Sequence, residues 1–142
     1  MVKNAIDFNT SGNVAMFVVE SLQGAGGVHE MPKGFVKKSA EYARAAGGLY
    51  AADEVQCGFA RTGTYWGFEQ LDVTPDIVIM AKTMGNGIPM AGVAMSKEVS
   101  NAIDRVTLST YSANPLGITA AREVLKIIDD EGLVENSRLR GE

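Results

Sequence analysis

Leu49-Tyr50-Ala51-Ala52-Asp53-Glu54-Val55-Gln56 and Pro75-Asp76-Ile77-Val78-Ile79-Met80-Ala81-Lys82 are the two stretches on which the reading of this chain turns. Each is a short apolar run of strand length that stops on charge. Ala15-Met16-Phe17-Val18-Val19 does the same and stops at Glu20, and a fourth short strand is expected from Ala91 to Met95. Runs that are apolar on both faces belong to parallel or mixed sheets covered by helices. The intervening sequence supplies those helices. From Lys33 to Ala46, Val36, Ala40, Ala43 and Gly47 recur at helical spacing, and Gly47-Gly48 ends the pattern. Ser96 suits the cap of a helix running to about Ile103. The clearest helix has Asn114 at its cap, Pro115 in its first turn and Gly132 past its end, with Ala121, Val124, Leu125 and Ile128 as the buried stripe. The expected fold is α/β, a mostly parallel sheet covered by helices.

Composition narrows the function classes. The 142 residues are 46% hydrophobic and 21% charged, which is globular and excludes a chain disordered throughout. A net charge of −4 with no Lys/Arg block argues against a nucleic-acid groove or a polybasic membrane patch. No apolar run reaches the ~18 residues a membrane span needs, and Met1 to Thr10 carries no signal or transit pattern. One cysteine, Cys57, and one histidine, His29, exclude an internal disulfide, a multi-Cys zinc site and a paired-His metal motif. No internal repeat or linker divides the chain.

In sheets of this kind ligands sit outside the carboxyl ends of the strands. Here those ends carry Glu20, Asp53 with Glu54, and Lys82. Charge at one strand end is ordinary; two carboxylates and a lysine at one edge make a candidate site. On a strand-like segment Asp53 and Val55 would share a face, with Gln56 following. A lysine amine, a carboxylate, an apolar side chain and an amide suit pyridoxal phosphate. The amine forms an imine, the carboxylate keeps the pyridine nitrogen protonated, the apolar group packs on the ring and the amide holds the ring hydroxyl. Lys82 would then also be the base that moves the proton.

The segment Asp53-Glu54-Val55-Gln56-Cys57-Gly58-Phe59-Ala60-Arg61-Thr62-Gly63 resembles the signature of class III pyridoxal-phosphate aminotransferases. So does the segment ending at Lys82, followed by Gly85-Asn86-Gly87-Ile88-Pro89, and the 29-residue separation of Asp53 and Lys82 matches as well. Asn9-Thr10-Ser11-Gly12 and Tyr65-Trp66-Gly67-Phe68 resemble the alanine–glyoxylate aminotransferase type and its phospho-lyase relatives. The resemblance implies the large domain of fold type I transferases. It implies Lys82 forming the internal aldimine, Asp53 at the pyridine nitrogen, Val55 on the ring face and Gln56 near the ring hydroxyl. Thr110 matches a threonine that reaches the cofactor phosphate of the neighbouring subunit, so a homodimer is implied. Glu20 matches an acidic residue at the cofactor's edge. An amino acid or amine donor and an oxo-acid acceptor follow, with a mitochondrial location by resemblance and a cytoplasmic one otherwise.

The chain departs from the family pattern at several points. Ser21 stands where Pro is usual, Cys57 where Thr is usual, and Ser112-Ala113 replaces a Gly-Gly pair. By this resemblance residues 1–142 are expected to be part of the cofactor-binding large domain, without the family's N-terminal part and C-terminal small domain. Alone, the chain is expected to be inactive. The rival readings are a phospho-lyase of the same family and an inactive module that binds partners through the family's dimer surface. His29 reads as a surface-loop histidine and Cys57 as a shielded thiol. The acidic strand end also mimics that of P-loop ATPases, but no G-x-x-x-x-G-K-[ST] accompanies it.

Overall fold

The structure, a computed structural model, describes residues 1–106 and 108–141. Strands β1 (Met16–Glu20), β4 (Leu49–Asp53), β5 (Ile77–Met80) and β6 (Gly92–Met95) form one sheet in the order β1-β4-β5-β6. The first two pairings are parallel and the last is antiparallel, so the sheet is mixed but mostly parallel. A small antiparallel pair, β2 (Leu22–Gln23) with β3 (His29–Glu30), brackets the Gly24–Gly27 turn. From sequence this region is expected to be a turn alone. Two residues a side give no periodicity to detect, and His29 is an exposed strand residue there.

Helix α2 (Phe35–Ala45) covers the face that carries Phe17, Val19, Tyr50 and Ala52. Its Val36, Ser39, Ala40 and Ala43 are buried, and small residues at three of these positions let the helix lie close on the strands. Gly47, at φ +82°, ends the helix, and the Gly48 N–H bonds back to the Ala43 carbonyl at 2.9 Å. Asp76 then ties helix to sheet. Its Oδ2 accepts from Arg44 Nη2 at 3.0 Å and from the Tyr50 N–H at 2.8 Å.

Ser96 caps α3 (Lys97–Asn101) through the Val99 N–H, and Asn114 caps α4 (Pro115–Asp130) through the Leu116 N–H, as expected. On α4 the buried residues are Gly117, Ala121, Val124 and Ile128. Leu125 is 40% exposed, a correction to the expected stripe, because the partners of α4 cover a narrower arc. Val124 and Ile128 pack with Phe59 and Ala60, flanked by Tyr65, Trp66, Met80 and Met84. Two helices had no sequence expectation. Helix α1 (Val2–Asn9), in which Val2, Ala5 and Ile6 recur at helical spacing, and α5 (Leu133–Gly141), which has no apolar stripe, bury no residue. The side of β1 facing away from α2 also differs from a doubly covered sheet, since Met16 and Val18 are 41% and 47% exposed.

Candidate functional site

Strand register brings the charged strand ends together. Glu20 pairs with Asp53, and Asp53 with Ile79, three residues before Lys82. All three ends open on one edge of the parallel strands, where the sequence placed the site.

Past β5 the chain enters a short 3-10 turn, Lys82–Met84, and Lys82 itself lies at φ +46°. A lysine in the left-handed region is a strained residue held by its surroundings, a feature that concentrates at functional sites. Its Nζ donates to Gln56 Oε1 at 2.6 Å. Gln56 sits in the turn after β4, packed near Gly24, where a Cβ would meet Gln56 Cγ at 3.2 Å and Glu20 Oε2 at 3.3 Å. Glu20 Oε2 accepts the Gly24 N–H at 2.9 Å. Glu20, Gly24, Gln56 and Lys82 are therefore contiguous.

Asp53 and Val55 require a correction. Val55 lies in the turn and not on an extended strand, so the two do not share a face by strand alternation. Asp53 Oδ1 accepts the Val55 N–H at 3.1 Å, and this Asx-type turn takes the chain out of the sheet. Both residues stay at the edge, by turn geometry. A cavity of about 390 Å³ lies beside Lys82, lined also by Arg61, Thr83 and the 86–90 loop. Arg61 Nε donates to Thr83 Oγ1 at 3.0 Å.

Thr110 is not brought to this edge. It is exposed in a turn, and among the described residues it does not line the Lys82 cavity. Nearby Ala113 stands at φ +56°, where the usual glycine would sit without strain. Cys57 is buried, its Sγ 3.4 Å from the Leu22 carbonyl. Burial pushes its thiol up, and the charges of Glu54, Glu20 and Asp53 add to this, so it remains a protonated packing residue. Among the described residues no cluster of His, Cys, Asp and Glu could hold a metal ion, and no helix is long and apolar enough to cross a membrane.

Glu54 carries more of the site than its sequence position suggested. It is 0% exposed. Its Oε2 accepts the Gly67 N–H at 2.7 Å, and its Oε1 accepts the Phe68 N–H at 2.9 Å and the Ser21 hydroxyl. Burial pushes its carboxyl above the usual range, against the pull of these three donors, and the Asp53 charge adds to the rise. Alternation was the available signal: Tyr50, Ala52 and Glu54 share a parity, and the first two face α2.

The class III aminotransferase family profile matches residues 2–142. Alanine–glyoxylate aminotransferase 2 homolog 2, mitochondrial, of Arabidopsis thaliana is 41% identical over 99% of this chain and 30% of its own length. Ethanolamine-phosphate phospho-lyase homolog 1 of Caenorhabditis elegans is 42% identical over 91% of this chain and 29% of its own. Among solved structures, a Bacillus anthracis aminotransferase superposes with a TM-score of 0.91 at 32% identity, over 99% of this chain and 33% of that one. A thermostable (S)-enantioselective omega-transaminase from Thermomicrobium roseum gives 0.87 at 39% identity, over 95% and 32%. The chain thus spans about a third of the length of the relatives it matches. With the profile, the fold and the strand-end edge in agreement, the chain belongs to the class III aminotransferases, a family dependent on pyridoxal phosphate.

Proposed function

We propose that this chain contributes the lysine edge of a pyridoxal-phosphate transaminase that passes an amino group between an amino acid or amine and an oxo-acid, of the alanine–glyoxylate type. The observation that carries this reading is the 2.6 Å contact of the Lys82 amine with the Gln56 amide, on the same strand-end edge as Asp53. The residue types suit the cofactor: an amine and an amide in contact, with a carboxylate on the same strand-end edge. When bound, the cofactor supplies an electron sink for the carbanion formed at the substrate's α-carbon. Lys82 would hold it, and its amine would serve as the base for the α-proton. Asp53 would hold a proton on the ring nitrogen, Val55 would pack on the ring and Gln56 would orient the ring hydroxyl. Glu20 fixes the Gly24 backbone beside Gln56. In this reading residues 1–142 are part of the cofactor-binding large domain. Thr110 reaches the cofactor phosphate of a second subunit in a homodimer, and the protein works in mitochondria, as the names of its relatives suggest.

A second reading has support in the phospho-lyase relative, which is as similar as the transaminases. The same lysine can remove a proton to eliminate phosphate from a phosphorylated amine. Product analysis separates the two. A full-length protein carrying this segment is expected to release pyruvate from alanine plus glyoxylate. Phosphate release from phosphoethanolamine without pyruvate would favour the lyase.

A further inference from the structure

The chemistry assigned above uses Glu20, Asp53, Val55, Gln56 and Lys82, and leaves a fully buried carboxylate in their midst without a role. We propose that Glu54 is the positioning residue of the edge, holding the Asp53–Gln56 turn in register through a buried carboxylate that accepts from Ser21, Gly67 and Phe68. This inference rests on the reading of Asp53 and Gln56 as cofactor-facing.

Residue 54 is tied to four separate parts of the fold. Its N–H donates to the Ile79 carbonyl of β5 at 2.9 Å, and its own carbonyl accepts the Gly58 N–H at 2.9 Å. Its side chain adds Ser21, adjacent to Glu20, and the first residues of the Gly67–Leu71 turn. The ends of β1, β4 and β5 therefore meet at this one residue. Asp53 precedes it and Val55-Gln56 follow it, so fixing Glu54 fixes the peptide units that aim all three.

The geometry asks for a carboxylate in particular. All three side-chain partners donate, and an ionised carboxylate is acceptor-only. Glutamine would turn an NH₂ toward at least one buried backbone N–H and leave that donor unpaired. Packing around the acceptor is equally restrictive. A Cβ on Gly67 would lie 2.8 Å from Cys57 Cβ and 2.9 Å from Ser21 Cβ, so only glycine brings its N–H this close. Glu69 secures the same turn from outside, its Oε1 accepting the Trp66 N–H at 2.7 Å.

The test is amide hydrogen exchange on the cofactor-free full chain, comparing wild type, Glu54→Gln and Ser21→Ala, followed by titration with pyridoxal phosphate. Loss of one buried hydrogen bond should speed exchange at Val55 and Gly58, the hydrogen-bonded amides of the turn, by about tenfold in Glu54→Gln. Helix α2 amides should stay within about twofold. Ser21→Ala, which keeps both backbone donors paired, should show the same pattern at about threefold and decides the matter if Glu54→Gln does not fold. Faster exchange confined to Gly67 and Phe68, with the Asp53–Gln56 turn unchanged, would overturn the proposal, as would a uniform rise that includes α2. Where the wild type binds the cofactor, Glu54→Gln should weaken it about tenfold, and unchanged affinity would also overturn the proposal. A wild type that passes the exchange test yet binds no pyridoxal phosphate would contradict the functional reading of the edge and leave the role of Glu54 in the turn intact.

Discussion

Residues 53–58 and residues 108–113 both carry groups that the family resemblance assigns to the cofactor, yet they are built differently. In the first, backbone and side chain are tied on every side. Asp53 turns on the Val55 N–H, Glu54 holds three donors, and Gln56 meets Lys82. In the second, the residues are exposed and the bonds are local, such as Ser112 Oγ to the Ser109 carbonyl at 2.9 Å. Leu108 and Tyr111 are exposed apolar side chains there. A segment tied by long-range bonds holds its groups in fixed positions, whereas a stretch with only local bonds opens at lower cost.

Substitutions can break this contrast. The largest effect on stability is expected for Gly67→Ala, which forces a Cβ against Cys57 and Ser21 and displaces the N–H bound to Glu54. Overpacking and a disturbed buried bond together should cost about 3 kcal/mol in chemical denaturation. A loss under about 1 kcal/mol would mean that the frame is looser than described.

Tyr50 lies on the same rigid side, fully buried, and its hydroxyl has no hydrogen-bond partner among the described residues. Burial pushes its phenol up to about 12, and the Glu54 charge adds to the shift. A folded value above the unfolded one of ~10 means that stability is complete below pH 10 and is lost as pH rises through 12. Tyr50→Phe removes the orphaned hydroxyl and this loss together. Its advantage over wild type should grow by about 2 kcal/mol between pH 10 and 12, measured by thermal or urea unfolding. A constant difference across that range would contradict the assigned environment.

On the exposed side the effects shrink. Ala113→Gly relieves a left-handed alanine and should stabilise by up to about 1 kcal/mol. Thr110→Ala should change the stability of the free chain by less than about 0.5 kcal/mol. A larger loss would show that Thr110 is built into the fold, and the contrast between the two regions would fail.

Much of the rigid region was legible before any coordinates. Apolar runs ending on Glu20, Asp53 and Lys82 located the edge, because strands buried between layers can carry charge only where they end. Caps at Ser96 and Asn114 were legible because one side-chain oxygen decides them. Other features escaped for physical reasons. Val55 was read as a strand residue, since a strand and an Asx turn differ in one hydrogen bond that spacing does not encode. Glu54 is legible as one of the charged strand ends but not as a buried group, because its three donors come from residues 13 to 33 positions away. Helix α5 lacks an apolar stripe, so periodicity has nothing to report there, and α1, at 8 residues, is too short for its Val2, Ala5 and Ile6 spacing to decide a helix.

The central claim is that Lys82 is the cofactor amine, and borohydride reduction tests it most directly. Protein carrying this segment is incubated with pyridoxal phosphate, reduced, digested and mapped by mass spectrometry, beside Lys82→Ala. One stable adduct is expected, on Lys82, absent from the variant together with the near-visible absorbance of the imine. An adduct on Lys37, Lys38 or Lys97 that persists in Lys82→Ala would contradict it.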